Sequence, residues 1–235
     1  MISEFFFQIA ELKKLPRSGW KIKVGLENSE SVAEHSYMMS VMAMVLSDLK
    51  NLNSEKVIKM SILHDWAESK IGDFMPEQIG YDKKSELENS ESVAEHSYMM
   101  SVMSMVLSDM KSLNSEKVLK MSILHDWAES KIGDFMPDQI GYDKKSELES
   151  YAMSEILESL PQKIQDDYQN MWNEFLLRET PEARLVHELD KLEMALQAKI
   201  YEKDVDPEKV KPFIISAVEQ IIDPDVKKVL MDILK

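Results

Sequence analysis

The chain contains no cysteine, which removes disulfides, thiolate metal ligands and a cysteine nucleophile from consideration. A reducing cytoplasm is compatible with that absence. Glycine is scarce, at 6 of 235 residues, and 44% of residues are hydrophobic, so the chain is neither low-complexity nor disordered and has material for a sizeable core. No apolar run approaches the roughly 20 residues that a membrane-spanning helix needs. The segment from Met1 to Arg17 has a short apolar run but no basic leader and no small-residue cleavage site, so it reads as an amphipathic helix rather than a signal peptide. Positive charge is also lacking: 28 Lys and Arg stand against 43 Asp and Glu, a formal net charge of −15. A chain of that sign is not expected to track a nucleic-acid backbone. The expectation is a soluble, cytoplasmic protein with no nucleic-acid or membrane partner. Any phosphate it binds needs local help from a metal ion or a placed cation.

What the sequence does have is a repeat. Leu26 to Glu86 recurs as Leu87 to Glu147, an offset of 61 residues, with mild differences only at Ala43/Ser104, Leu49/Met110, Asn51/Ser112, Ile58/Leu119 and Glu77/Asp138. Solenoid repeats drift much further apart than this, so the pattern reads as a recent or engineered segmental duplication. Leu-Glu stands at both seams and again at Leu148-Glu149. Removing one 61-residue copy from the 235-residue chain leaves 174 residues, an ordinary single-domain length. The expectation is one domain over 1–235 with a surplus segment: copy one over 26–86, copy two over 87–147, and C-terminal helices over 148–235.

Nearly everything reads as helix, and no alternating strand pattern of any length occurs. Ser3 to Lys14 is amphipathic, and Leu15 to Trp20 reads as a turn. Ser31-Val32-Ala33-Glu34 is a capping box, opening a helix with His35, Met38, Met39, Met42, Val45, Leu46 and Leu49 on one stripe, the spacing of a buried face. Asn53 and Ser54 cap a second helix through Ile62, Leu63 and Trp66 to Gly72, which suits a C-terminal cap. Copy two repeats both helices from Ser92 and Ser115. Later helices are expected near 145–160 and 162–178, then from Thr180-Pro181 to about Glu202, from Asp206-Pro207 and from Asp223-Pro224. The fold class is all-α.

The chemistry-bearing residues fall on these helices. His64-Asp65, with its duplicate His125-Asp126, offers a nitrogen and an oxygen ligand on adjacent residues of one helix. Glu68 and Glu129 follow on the same face, where a carboxylate is placed to manage the proton of a water. His35 and His96 sit on the apolar stripe. A lone histidine there is more often a hydrogen-bonded core residue, but a second His and an Asp lie on the helix that must pack against it. Asp190 falls on the stripe Ala183, Val186, Met194, where a buried carboxylate is costly without a cation. Lys191 and Arg184 are candidate salt-bridge partners, although both are expected to point away from that stripe. A set of two His and two Asp suits Mn, Co, Fe, Zn or Mg. The methionines of the stripe are core packing rather than ligands.

The ordered set His35, His64-Asp65 (or His96, His125-Asp126), then Asp190 resembles the H…HD…D signature of HD-domain phosphohydrolases. The stretches SVAEHS, ILHDWAESKIGDF and VHELDKLE resemble their 5′-deoxynucleotidase branch. The likeness runs from Leu12 to about Lys203. It implies an HD-domain helical bundle, one divalent metal ion per complete site, and removal of the 5′-phosphate from a deoxynucleoside monophosphate. It also implies that the His, His-Asp and late Asp hold the metal, and that Glu68 or Glu129 acts on the attacking water. Asp73 or Asp134 would lie in the same pocket, with Arg17 and Trp20 at phosphate and sugar. Lys191 would add charge at the phosphate. Family members have the Arg and Trp adjacent, whereas Ser18 and Gly19 separate them here.

The chain holds two copies of the His and His-Asp ligands but one Asp190 and one Arg17, so at most one complete set can form. Copy two is favoured for the core, because more helices follow the repeat than precede it, with copy one bulging out as an insertion. The apolar stripe of the surplus copy predicts a homo-oligomer, by packing of surplus segments or as a helix-swapped dimer. The rival reading is a non-catalytic metal-binding or structural assembly whose site the duplication has split. Another small phosphate ester as substrate is a further alternative.

Overall fold

The computed structural model describes residues 2–26, 28–73, 91–133 and 142–235. Among these residues, regular structure is helical apart from one antiparallel bridge between Pro16 and Ser31. Helix α1 (Ile2–Ala10) runs into a 3₁₀ turn (Glu11–Lys14) and then α2 (Ser18–Val24). Copy one forms α3 (Val32–Leu49), α4 (Ser54–Leu63) and α5 (Glu68–Ile71); copy two forms α6 (Val93–Met110), α7 (Ser115–Leu124) and α8 (Glu129–Ile132). Then come α9 (Tyr142–Glu158), α10 (Gln162–Leu177), α11 (Pro181–Tyr201), α12 (Pro207–Gln220) and α13 (Pro224–Ile233).

The helix starts follow local chemistry. Ser31 and Ser92 each close a reciprocal capping box, with Glu34 and Glu95. Asn53 and Asn114 accept from the backbone N–H of Lys56 and Lys117. Thr180, Asp206 and Asp223 cap helices whose first residue is proline.

Two expected elements differ. The supposed turn ending at Trp20 becomes helical from Ser18, whose backbone N–H donates to the Asp73 carboxylate at 2.6 Å. The second repeat helix does not run unbroken to Gly72. It ends at Leu63, and tight turns with Trp66 N–H donating to Leu63 and Glu68 N–H donating to Asp65 replace it before the short α5. The same break recurs at Leu124, so His64-Asp65 and His125-Asp126 lie at helix ends rather than in helix interiors. Gly72 and Gly133 then adopt φ of 90° and 85°, which favours glycine.

Copy one does not bulge away. Its α3 packs along α6, and serines Ser36, Ser40, Ser97 and Ser101 are fully buried, small enough for close helix approach. Helices α10 and α11 cover the other side of copy two. The consequence is an asymmetry between identical side chains. Met99, Met103, Leu107, Met121 and Leu124 are at most 1% exposed, while their repeat mates Met38, Met42, Leu46, Met60 and Leu63 are 41–60% exposed. The stripe expected to be buried in both copies is therefore buried in one. Copy one instead hides the opposite face of α3, through Ser36, Ser40, Met44 and Ser47.

Candidate metal centre

In copy two, three helices converge on one point. His96 comes from the first turns of α6, His125 and Asp126 from the end of α7, and Asp190 from the middle of α11. The His96 and His125 Nε2 atoms stand 3.4 Å apart. Asp126 lies 3.0 Å from His125 Nε2 and 3.7 Å from His96 Nε2. Asp190 lies 3.5 Å from the same His96 nitrogen. His96, His125 and Asp126 each offer a ligand atom within 4.8 Å of the others.

The far sides of both rings are fixed. The His125 Nδ1 faces the Ser122 carbonyl at 2.8 Å, and the His96 Nδ1 faces the Glu193 carboxylate at 2.6 Å. Each contact holds a proton on Nδ1 and aims Nε2 at the common point, the arrangement that orients metal-binding imidazoles. Glu193 is held in turn by Lys13, which also pairs with Glu91. The acidic group around Glu91 and Glu193 thus has its own cation from the N-terminal segment.

Charges around this point are strongly coupled. Burial works against an ionised Asp190, yet the neighbouring His96 and Lys191 hold its carboxyl well below the usual range. Burial likewise disfavours a charged His96, but the Glu193 and Asp190 carboxylates outweigh it and raise its pKa. The Lys191 ammonium reaches Asp190 at 2.9 Å, so the expectation that it points away is corrected: its long flexible stem lets the charge meet the neighbouring carboxylate. Two imidazole Nε2 atoms and two carboxylates converging from three helices fit a divalent cation, which would take the place of the Nε2 protons and offset the paired carboxylates.

Copy one rebuilds the same triangle. His35, His64 and Asp65 offer ligand atoms within 4.8 Å of one another, and Asp65 lies 3.0 Å from His64 Nε2. The His64 Nδ1 faces the Ser61 carbonyl at 2.6 Å. No counterpart of Asp190 or Glu193 joins it among the described residues. Arg17 does, 3.8 Å from Asp65 and 3.9 Å from Asp73. Glu68 lies in the same group, with one carboxylate oxygen buried and unpaired among the described residues. Burial, then the charges of Asp65 and Asp73, push its pKa up to about 7.

Trp20 is half exposed and its indole N–H donates to Glu30 at 3.0 Å. Glu129 lies 3.6 Å from Lys145. Asp134 falls outside the described residues. Thus the structure brings Asp190 and Lys191 to copy two but Arg17 and Asp73 to copy one. Sequence reasoning missed Glu193 and Lys13. Glu193 follows Asp190 by three residues on one helix, a spacing that signals a shared face. Lys13 carried no comparable signal.

The HD domain family model matches residues 9–90 and again 82–229, so that each match takes in one copy of the His and His-Asp ligands. A 5′-deoxynucleotidase of Dictyostelium discoideum is 39% identical over 201 residues, covering 85% of this chain and 77% of that protein. A 5′-deoxynucleotidase of Danio rerio is 35% identical over 142 residues, covering 60% of this chain and 70% of that protein. The human 5′-deoxynucleotidase is 32% identical over 149 residues, 63% of this chain and 72% of that protein. The converging histidines and aspartates and these matches have one reading: the chain belongs to the HD domain family.

Proposed function

We propose that copy two carries the working centre, with His96, His125, Asp126 and Asp190 holding one divalent ion. The chain is a metal-dependent phosphomonoesterase acting on nucleotides, and the substrate class we assign is the deoxynucleoside 5′-monophosphate named for its relatives. The observation that carries the assignment is the convergence of His96, His125 and Asp190 from α6, α7 and α11. When bound, the ion supplies Lewis acidity that polarises phosphate and eases deprotonation of water. Glu129 takes a proton from the attacking water. Lys191 offsets phosphate charge beside Asp190. The water oxygen bonds to phosphorus as the P–O5′ bond breaks, and the proton held by Glu129 passes to O5′, releasing inorganic phosphate and the nucleoside 5′-hydroxyl. Ser122 and Glu193 keep both imidazoles in the binding tautomer throughout.

In this reading the N-terminal helices, copy two and α9–α13 form the HD unit, and copy one is a second half-unit docked along α6. The uncovered face of copy one is where two chains associate, giving a homo-oligomer, either by packing of those faces or by exchange of helices. No helix among the described residues is long and apolar enough to cross a membrane. We place the protein in the cytoplasm. The metal is Mn, Co, Mg, Zn or Fe.

One observation favours a second reading. Arg17, the residue matched to phosphate binding, pairs with Asp65 and Asp73 of copy one rather than joining Asp190. A site divided in that way would bind metal without turning over nucleotide. Phosphate release from matched deoxy- and ribonucleoside 5′-monophosphates, with Mn, Co, Mg or Zn restored after chelation, decides between them. Metal-dependent release favouring the deoxy series supports the hydrolase. No release from folded, metal-loaded protein supports the divided site.

A further inference from the structure

We infer that copy one is a second, weaker divalent-cation site, and that its ion binds together with an oxyanion held by Arg17. The inference rests on the metal centre assigned to copy two, because the ligand geometry is the same. The ring centroids of His35 and His64 are 5.5 Å apart with planes at 59°; those of His96 and His125 are 5.4 Å apart at 50°. The His–Asp contact is 3.0 Å in both copies. In both, a serine carbonyl three residues upstream fixes the second histidine's tautomer. A triangle of two imidazoles and a carboxylate with one ring already locked needs little rearrangement to take a cation.

The two centres differ in what surrounds the triangle. Copy two adds the Asp190 carboxylate as a fourth ligand and Glu193 behind His96. Copy one has neither among the described residues, and its His64 and Asp65 stand at the edge of the uncovered face, with side chains 31% and 15% exposed. Where copy two has an extra negative charge, copy one has the Arg17 guanidinium, 3.8 Å from Asp65. Loss of a supporting partner at a metal site costs about 10- to 100-fold in affinity, so the copy-one ion should be weaker by at least that margin. Three protein ligands leave coordination positions to water or an added anion. A guanidinium beside those positions favours a phosphate-type oxyanion, which it grips through paired N–H donors. The combination predicts linked binding: anion and cation at copy one each tighten the other.

The test is a count of Mn²⁺ bound to the chelator-stripped full chain, by equilibrium dialysis and electron paramagnetic resonance, with and without inorganic phosphate. Two ions per chain are expected, one tight and one about 10- to 100-fold weaker, with phosphate tightening the weak one alone. His64→Ala should remove the weak ion and spare the tight one. Should that variant lose its helical circular dichroism, Asp65→Asn serves the same purpose. Arg17→Ala should keep both ions and abolish the phosphate effect. A single ion under both conditions overturns this inference while leaving the copy-two centre intact. No ion at all overturns the copy-two centre as well. A second ion indifferent to phosphate overturns the role given to Arg17.

Discussion

The Tyr37 hydroxyl of copy one donates to the Ile123 carbonyl of copy two at 3.0 Å, and Tyr98, its repeat mate, returns the bond to Ile62 at 3.1 Å. Ion pairs repeat the exchange: Lys59 meets Asp109 at 2.7 Å, and Lys120 meets Asp48 at 2.7 Å. Each contact maps onto the other by the 61-residue offset. The copies therefore meet as two subunits do across a two-fold axis, through one patch used twice. Within a single chain this arrangement buries the serine-rich faces of α3 and α6 at no cost in association entropy.

That reciprocity gives a paired mutational test. Tyr98→Phe removes a hydroxyl from a fully buried side chain and leaves the Ile62 carbonyl without that donor, which should cost about 1–3 kcal/mol of unfolding free energy. Tyr37→Phe should cost a similar or smaller amount, because Tyr37 is only partly buried. Urea denaturation of the two single variants and the double variant measures both. Negligible loss in all three would mean that the copies are not joined through these bonds.

Glu193 links the metal centre to the N-terminal segment, lying between Lys13 and His96. Replacing it with Gln leaves the buried Lys13 ammonium with Glu91 as its remaining carboxylate, beside the Gln197 amide oxygen at 3.2 Å, and releases the His96 ring. Breaking a buried pair of this kind costs about 3–5 kcal/mol. Metal affinity at copy two should fall about 10- to 100-fold with it. Thermal unfolding with and without metal separates the two effects. Unchanged metal affinity would show that His96 keeps its orientation without Glu193.

Much of this was legible in the sequence and some could not be. Caps at Ser31, Asn53, Thr180, Asp206 and Asp223 mark helix starts because each supplies an oxygen to free N–H groups, a purely local effect. The ligand residues stood out because His, Asp and apolar spacing coincide. The break after Leu63 was hidden: Ile62, Leu63 and Trp66 keep helical spacing through the turns. The fate of each copy was beyond any local rule. Their sequences are almost the same, and what separates them is that α11 exists once and covers α6.

His187, one turn before Asp190 on α11, provides a pH signature set chiefly by burial. Burial lowers its pKa to about 4; its ring stacks on Phe175 at 4.1 Å, and its Nε2 meets the Phe175 carbonyl at 2.8 Å. In the unfolded chain the ring titrates near 6.5. Between those values the unfolded state binds the extra proton, so this contribution to stability is full above pH 6.5 and is lost as pH falls toward 4. His187→Gln should flatten the fall relative to the parent protein over that window. Equal slopes in denaturation midpoints from pH 7 to 4 would contradict the assignment.

Repeat mates of identical chemistry offer the most direct test of the asymmetry between copies. Met103 is fully buried under the C-terminal helices, and Met42 is 45% exposed on the uncovered face. Met103→Ala should destabilise by about 2–5 kcal/mol, the range for emptying a packed site. Met42→Ala should change stability by no more than about 0.5 kcal/mol in an isolated chain, since little packing is lost at an exposed position. If chains associate through copy one, as proposed, the balance shifts with concentration. Met42→Glu together with Leu46→Glu should then yield monomers in sedimentation velocity at concentrations where the parent protein is a dimer or larger. Those two charges face solvent in the single chain, so folding should survive them. A parent protein that sediments as a monomer throughout would show that the face stays in water unpaired, and equal costs for Met42→Ala and Met103→Ala would place both copies under cover.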